Sequence, residues 1–159
     1  WVVVLYMVGA YDGAMALSEI LFCLVVGVAD GDTLTVRCGE PGTYGQVKIR
    51  LAEIDAPEKK QAFGQRSKQH LSDLCFQQLA TITPRTTDRY GRTVARVQCD
   101  GQDANAAMVS AGMAWAYTKY LPDPVVKRLE MQARAGRVGL WADAAPVPPW
   151  EFRRGHTSE

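Results

Sequence analysis

A chain of 159 residues with 47% hydrophobic and 22% charged side chains can bury one substantial core and is too short to build two. Its formal net charge of +1 excludes the chain-wide basicity of a histone-like protein, so any attraction for nucleic acid must come from locally clustered Lys and Arg. Residues 1–16 read as a signal-peptide remnant: Trp1 to Val8 is apolar but far shorter than the roughly 20 residues of a spanning helix, and Ala14-Met15-Ala16 has the small-x-small form of a signal-peptidase site. Cleavage after Ala16 would leave Leu17 as the mature start, and a secreted or periplasmic protein with no stable membrane insertion is expected. Leu21 and Phe22 before Cys23 argue against a lipid attachment site, where small residues would stand.

The next segments are rich in β-formers. Ile20 to Val28, Thr33 to Arg37 and Gln46 to Leu51 are separated by Asp30-Gly31 and by Gly39 to Gly45, both turn signals, so three antiparallel strands are expected. From Gly64 to Leu79, Leu71, Leu74, Cys75 and Leu79 recur at three- and four-residue steps and mark one face of a helix. Ala80 to Thr86 and Thr93 to Gln98 read as two further strands. Asp103 caps a short helix that stops at Gly112, and Asp123-Pro124 opens another that stops at Gly136 with Val125, Leu129 and Ala133 on its inner face. Five strands with a helix after the third predict an α+β, mainly β fold: a five-stranded Greek-key barrel of the oligonucleotide-binding (OB) type with about three helices. Residues 144–159, with several prolines and a basic end, read as a loosely packed extension. The four cysteines Cys23, Cys38, Cys75 and Cys99 permit two disulfides in three pairings that the sequence does not separate, and none has the Cys-x-x-Cys spacing of a zinc or redox site.

Chemistry-bearing residues fall at the predicted strand ends. Asp30-Gly31-Asp32-Thr33 reads equally as a hairpin turn. In Asp55-Ala56-Pro57-Glu58, the proline ends strand pairing and leaves carboxylates on a loop. A hard divalent cation needs several oxygens; Asp32 and Asp55 could supply two, with a loop carbonyl and waters completing the shell, which frees Glu58 for a different role. Arg50 lies in an alternating strand close to these acids, and Arg92 follows Tyr90-Gly91, a turn whose aromatic ring is suited to stacking on a base. Guanidinium forks match phosphate oxygens and stay charged in any site. His70 and His156 are the only histidines, one on a predicted helix and one in the tail, so a histidine-based metal site or triad has little support.

In this order, the segments 30–33, 50–58, 88–92 (Asp88-Arg89-Tyr90-Gly91-Arg92) and Gly139-Leu140-Trp141 resemble the staphylococcal-nuclease-like family, also called thermonuclease or micrococcal nuclease. The resemblance covers about Ile20 to Trp141, and Pro149-Trp150-Glu151-Phe152-Arg153 is similar to the tail of exported bacterial members. It implies a nuclease domain over residues 17–143, with calcium held by the carboxylates of Asp32 and Asp55 and the main-chain carbonyl of Ala56. Glu58 would be the general base on a water, and Arg50 and Arg92 would hold the phosphate and neutralise transition-state charge. Tyr90 would contact substrate, with Arg89, Tyr117 and Tyr120 as further contacts. The implied substrates are single- and double-stranded DNA and RNA, cut by a monomer to leave 3'-phosphate ends. Ala56 stands where the family commonly has Thr, a change that a main-chain ligand tolerates, and the loop from Lys59 to Phe63 is shorter than in the best-known member. The alternative is a non-catalytic barrel that binds nucleic acid without cutting it. Such a domain would be expected to lose ligand carboxylates or the base, whereas all five residues stand here.

Overall fold

The computed structural model describes residues 19–117 and 123–155. The segment read as a targeting remnant, Tyr120 and His156 lie outside them. In chain order the elements are β1 (Leu21–Asp30), β2 (Thr33–Cys38), β3 (Gly45–Leu51), β4 (Ile54–Asp55), α1 (Gly64–Cys75), β5 (Leu79–Thr87), β6 (Thr93–Cys99), β7 (Gln102–Asp103), α2 (Ala104–Ser110), β8 (Trp115–Ala116), α3 (Pro124–Ala135), a 3-10 turn (Gly139–Ala142) and α4 (Pro149–Gly155).

β1, β2 and β3 form the expected antiparallel meander, in which Leu34 and Val36 of β2 point inward while Thr35 and Arg37 alternate to the other face. β5 pairs with β1 and β6 pairs with β5, both antiparallel. β6 then returns to β3 in parallel register, Arg50 opposite Val94, so the five strands in the order β3-β2-β1-β5-β6 close on themselves. The short β7 extends the sheet beside β6, and β4 pairs separately with β8. This is the mainly β barrel that the turn signals predicted. Leu34, Val36, Ile49, Leu51, Ile82 and Val97 of the strands form one buried core with Leu71 of α1 and Met108 of α2. Burying each such side chain contributes about 1.5–3 kcal/mol. Disulfides Cys23–Cys38 and Cys75–Cys99 tie β1 to β2 and α1 to β6, selecting one of the three open pairings.

Three expectations change. α1 ends at Cys75, and Leu79 is 74% exposed on β5 rather than on the helix face. The cause is β1, which captures the chain: Gln77 N–H donates to the Val25 carbonyl and Val25 N–H donates to the Gln78 carbonyl. On α3 Ala133 is buried and Leu129 packs against the core as expected, but Val126 and Glu130 complete the inner face and Val125 is 51% exposed. Glu130 takes the inner place because its carboxylate accepts from the Ala116 N–H and pairs with Lys127 and Arg134, which removes the cost of burying it. Finally, residues 144–155 are docked. α4 inserts Trp150 edge-on against Trp115, 5.6 Å between centroids, and Val147 accepts a hydrogen bond from Gln61 Nε2 at 2.6 Å.

Candidate active site

The β1–β2 turn and the loop after β4 meet through Asp32. Its Oδ2 accepts the Ala56 N–H at 2.7 Å and its Oδ1 accepts the Thr33 hydroxyl at 3.0 Å, so one carboxylate joins two loops 24 residues apart. Gly31 permits that approach: a Cβ there would sit 1.8 Å from Ser67 Oγ and 2.9 Å from Ala56 Cβ. Arg50, on the barrel rim, donates from Nη1 to the carbonyls of Leu51 and Ile54, both at 2.8 Å. Its Nη2 faces Asp32 Oδ2 at 3.3 Å and Asp55 Oδ1 at 3.4 Å. Two buried carboxylates therefore share one guanidinium.

Arg153 adds a second guanidinium at Asp55, so the three neighbouring acids Asp30, Asp32 and Asp55 face two cations. Burial pushes the Asp55 carboxyl above its ordinary range despite the hydrogen bond from Arg153 and the charge of Arg50. Burial and the neighbouring Asp32 push Asp30 up to about 7. Asp32 alone is held below its ordinary value, because Arg50 and its hydrogen bonds outweigh its burial. A buried pair of carboxylates offering only oxygen donors is the donor chemistry of a hard divalent cation. Among the described residues no three His, Cys, Asp or Glu side chains gather as a metal cluster, so any cation held by Asp32 and Asp55 would need carbonyls and water for the rest of its shell.

Glu58 is presented by a locked turn. Its N–H donates to Gln61 Oε1 at 3.1 Å and its carbonyl accepts the Gln61 N–H at 2.9 Å. Gly64 at the start of α1 packs on the same carbonyl; a Cβ there would lie 2.0 Å from it. The side chain of Glu58 is 37% exposed, unlike the buried Asp55, and so remains open to solvent.

Arg92 arrives from the β5–β6 turn. Asp88 holds that turn by accepting the N–H groups of Tyr90 and Arg92 on Oδ1 and the Arg92 guanidinium on Oδ2 at 2.7 Å. Arg92 Nη1 also reaches Thr33 Oγ1 at 3.4 Å, which connects it through Thr33 to Asp32. The parallel β3–β6 closure explains why: it sets Arg50 beside Val94, two residues beyond Arg92. Tyr90 is 69% exposed, with Arg89 and Arg92 against its ring. Tyr117 lies against Trp150, 5.6 Å between ring centroids, with its N–H donating to the Glu53 carbonyl.

Sequence reasoning missed Arg153. From α4 its Nη2 donates to Asp55 Oδ2 at 2.7 Å, and its Nη1 donates to Asp55 Oδ1 at 3.2 Å and Glu58 Oε1 at 2.7 Å. The contact spans 98 residues of chain, and only the basic character of the tail hinted at it.

A closed barrel carrying acids and guanidiniums together at one end of its strands is a polynucleotide-handling architecture of the OB class. Residues 48–143 match the family described as staphylococcal nuclease homologue. Over 132 residues the chain is 49% identical to a protein of Haemophilus influenzae named uncharacterized endonuclease, covering 83% of this chain and 72% of that one. It is 42% identical to a micrococcal nuclease of Shigella flexneri over 141 residues (82% and 79% of the two chains) and 43% identical to Protein ParB of Escherichia coli over 141 residues (82% and 77%). The chain belongs to the staphylococcal nuclease family and is a nuclease of that kind.

Proposed function

We propose that the chain is a calcium-dependent, sugar-nonspecific endonuclease that hydrolyses DNA and RNA to 3'-phosphate ends. The observation that carries this reading is the sharing of Arg50 between Asp32 and Asp55, with Arg92 linked to the same group through Thr33. Asp32, Asp55 and the Ala56 carbonyl would hold calcium, which when bound supplies charge to orient and polarise the diester. Glu58 takes the proton of the attacking water, for which its exposure suits it. Arg50 and Arg92 bind the non-bridging phosphate oxygens, where negative charge grows as water oxygen bonds to phosphorus. The bond from phosphorus to the 5' oxygen breaks, and that oxygen leaves with a proton from solvent. Tyr90, with Arg89 beside it, offers an exposed face to a base, while phosphate-centred binding explains acceptance of either sugar.

The two disulfides support export to an oxidising compartment, secreted or periplasmic. Among the described residues no helix is long and apolar enough to cross a membrane. A monomer is proposed, since one chain carries the whole residue set.

The test is digestion of single- and double-stranded DNA and RNA in calcium and in chelator. The expected result is cutting of all four with calcium and of none with chelator. Equal cutting in chelator would contradict the metal assignment. Nucleic acid that is retarded in a gel but never cut would establish the non-catalytic binding module instead.

A further inference from the structure

The tail closes on the residues to which the proposed function assigns catalysis. The Arg153 fork covers both Asp55 oxygens and takes one oxygen of Glu58 in the same grip, at 2.7–3.2 Å. With Arg50 on the other side, the Asp55 side chain is only 2% exposed. A cation ligated by Asp55 would therefore stand against a guanidinium already on the same oxygens, and like charges at that range repel strongly in a partly buried site. Glu58 is affected too, because the same guanidinium occupies one of its carboxylate oxygens at 2.7 Å.

Arg153 sits on a helix of seven residues whose Pro149 is buried and whose Trp150 packs against Trp115 and Tyr117. Beside it an open pocket of about 190 Å³ is lined in part by Pro57, Phe63, Val147 and Phe152. The Arg153 side chain itself is 46% exposed.

The geometry points to Arg153 as a built-in competitor for the divalent cation: α4 is an autoinhibitory clasp whose guanidinium and calcium exclude each other at Asp55 and Glu58. This rests on the metal assignment proposed above, and calorimetry separates the two. Calcium chloride is titrated into the full chain as wild type, Arg153→Ala, Arg153→Lys and Asp55→Asn, with thermal unfolding confirming that each is folded. The clasp predicts that Arg153→Ala binds calcium at least about tenfold more tightly than wild type. Arg153→Lys, which keeps the charge, stays within about threefold of wild type, and Asp55→Asn loses binding. Binding by Arg153→Ala alone supports the clasp equally. Calcium affinity that is unchanged or weaker in Arg153→Ala, with Asp55→Asn still defective, overturns the clasp and leaves the metal assignment standing. Absence of calcium binding in both wild type and Arg153→Ala overturns the metal assignment and the clasp with it.

Discussion

Arg50 spends one guanidinium nitrogen on two carbonyls and the other on two carboxylates. A lysine at this position keeps the charge but not the planar fork, so it cannot hold Asp32 and Asp55 while presenting a donor to phosphate. Arg50→Lys is expected to lower kcat by about 10²-fold, the usual cost of losing one preorganised donor to a developing oxyanion, in steady-state digestion of single-stranded DNA. Gly31→Ala tests the seam beneath it. With Ser67 and Ala56 in the way of a Cβ, the variant should lose about 1–3 kcal/mol in urea unfolding. Both residues belong to segments that drew attention in the sequence, because turn-forming and charged types cluster there. The partners they meet were not legible, since Ser67 and Ile54 carry no mark of the contact in their own neighbourhoods.

Among the elements, α3 shows how far pattern reasoning reaches. Asp123-Pro124 located its start, and the Asp123 carboxylate does accept the N–H groups of Val125 and Val126. Leu129 and Ala133 face inward as expected, but Glu130 escapes such reasoning because a buried acid looks polar in a sequence, and the Ala116 N–H, Lys127 and Arg134 make it acceptable inside. The cap also has a pH signature. Burial acts to raise the Asp123 carboxyl, but the capped N–H groups and Arg96 outweigh it and hold it below its ordinary value of 3.8. A lowered carboxyl contributes stability that is present above 3.8 and is lost as pH falls through the folded-state value. Asp123→Ala should therefore cost about 1 kcal/mol near neutral pH, and the gap from wild type should narrow in thermal melts taken below pH 4.

Over the whole molecule, the strands could be read from turn residues, but three long-range features could not. The parallel β3–β6 closure that brings Arg92 to Arg50, the pairing of four cysteines, and the docking of α4 each depend on residues far apart in the chain. Local periodicity carries no information about such encounters. Of the disulfides, Cys75–Cys99 fastens α1 to the barrel across a separation of 24 residues. Replacing both cysteines with serine should destabilise the fold by about 3 kcal/mol in chemical unfolding, mainly by freeing the unfolded chain.

The division of labour in the site rests on Glu58 as the proton acceptor, held at the rim by Gln61 and Gly64 while the buried aspartates take other roles. Glu58→Gln preserves size and an oxygen for Arg153 while removing the basic carboxylate. The most direct measurement is kcat of this variant against wild type on single-stranded DNA, with melting temperatures taken alongside. A fall of about 10²–10⁴-fold with the melting temperature essentially unchanged is expected. A folded variant that cuts DNA at the wild-type rate would contradict the account.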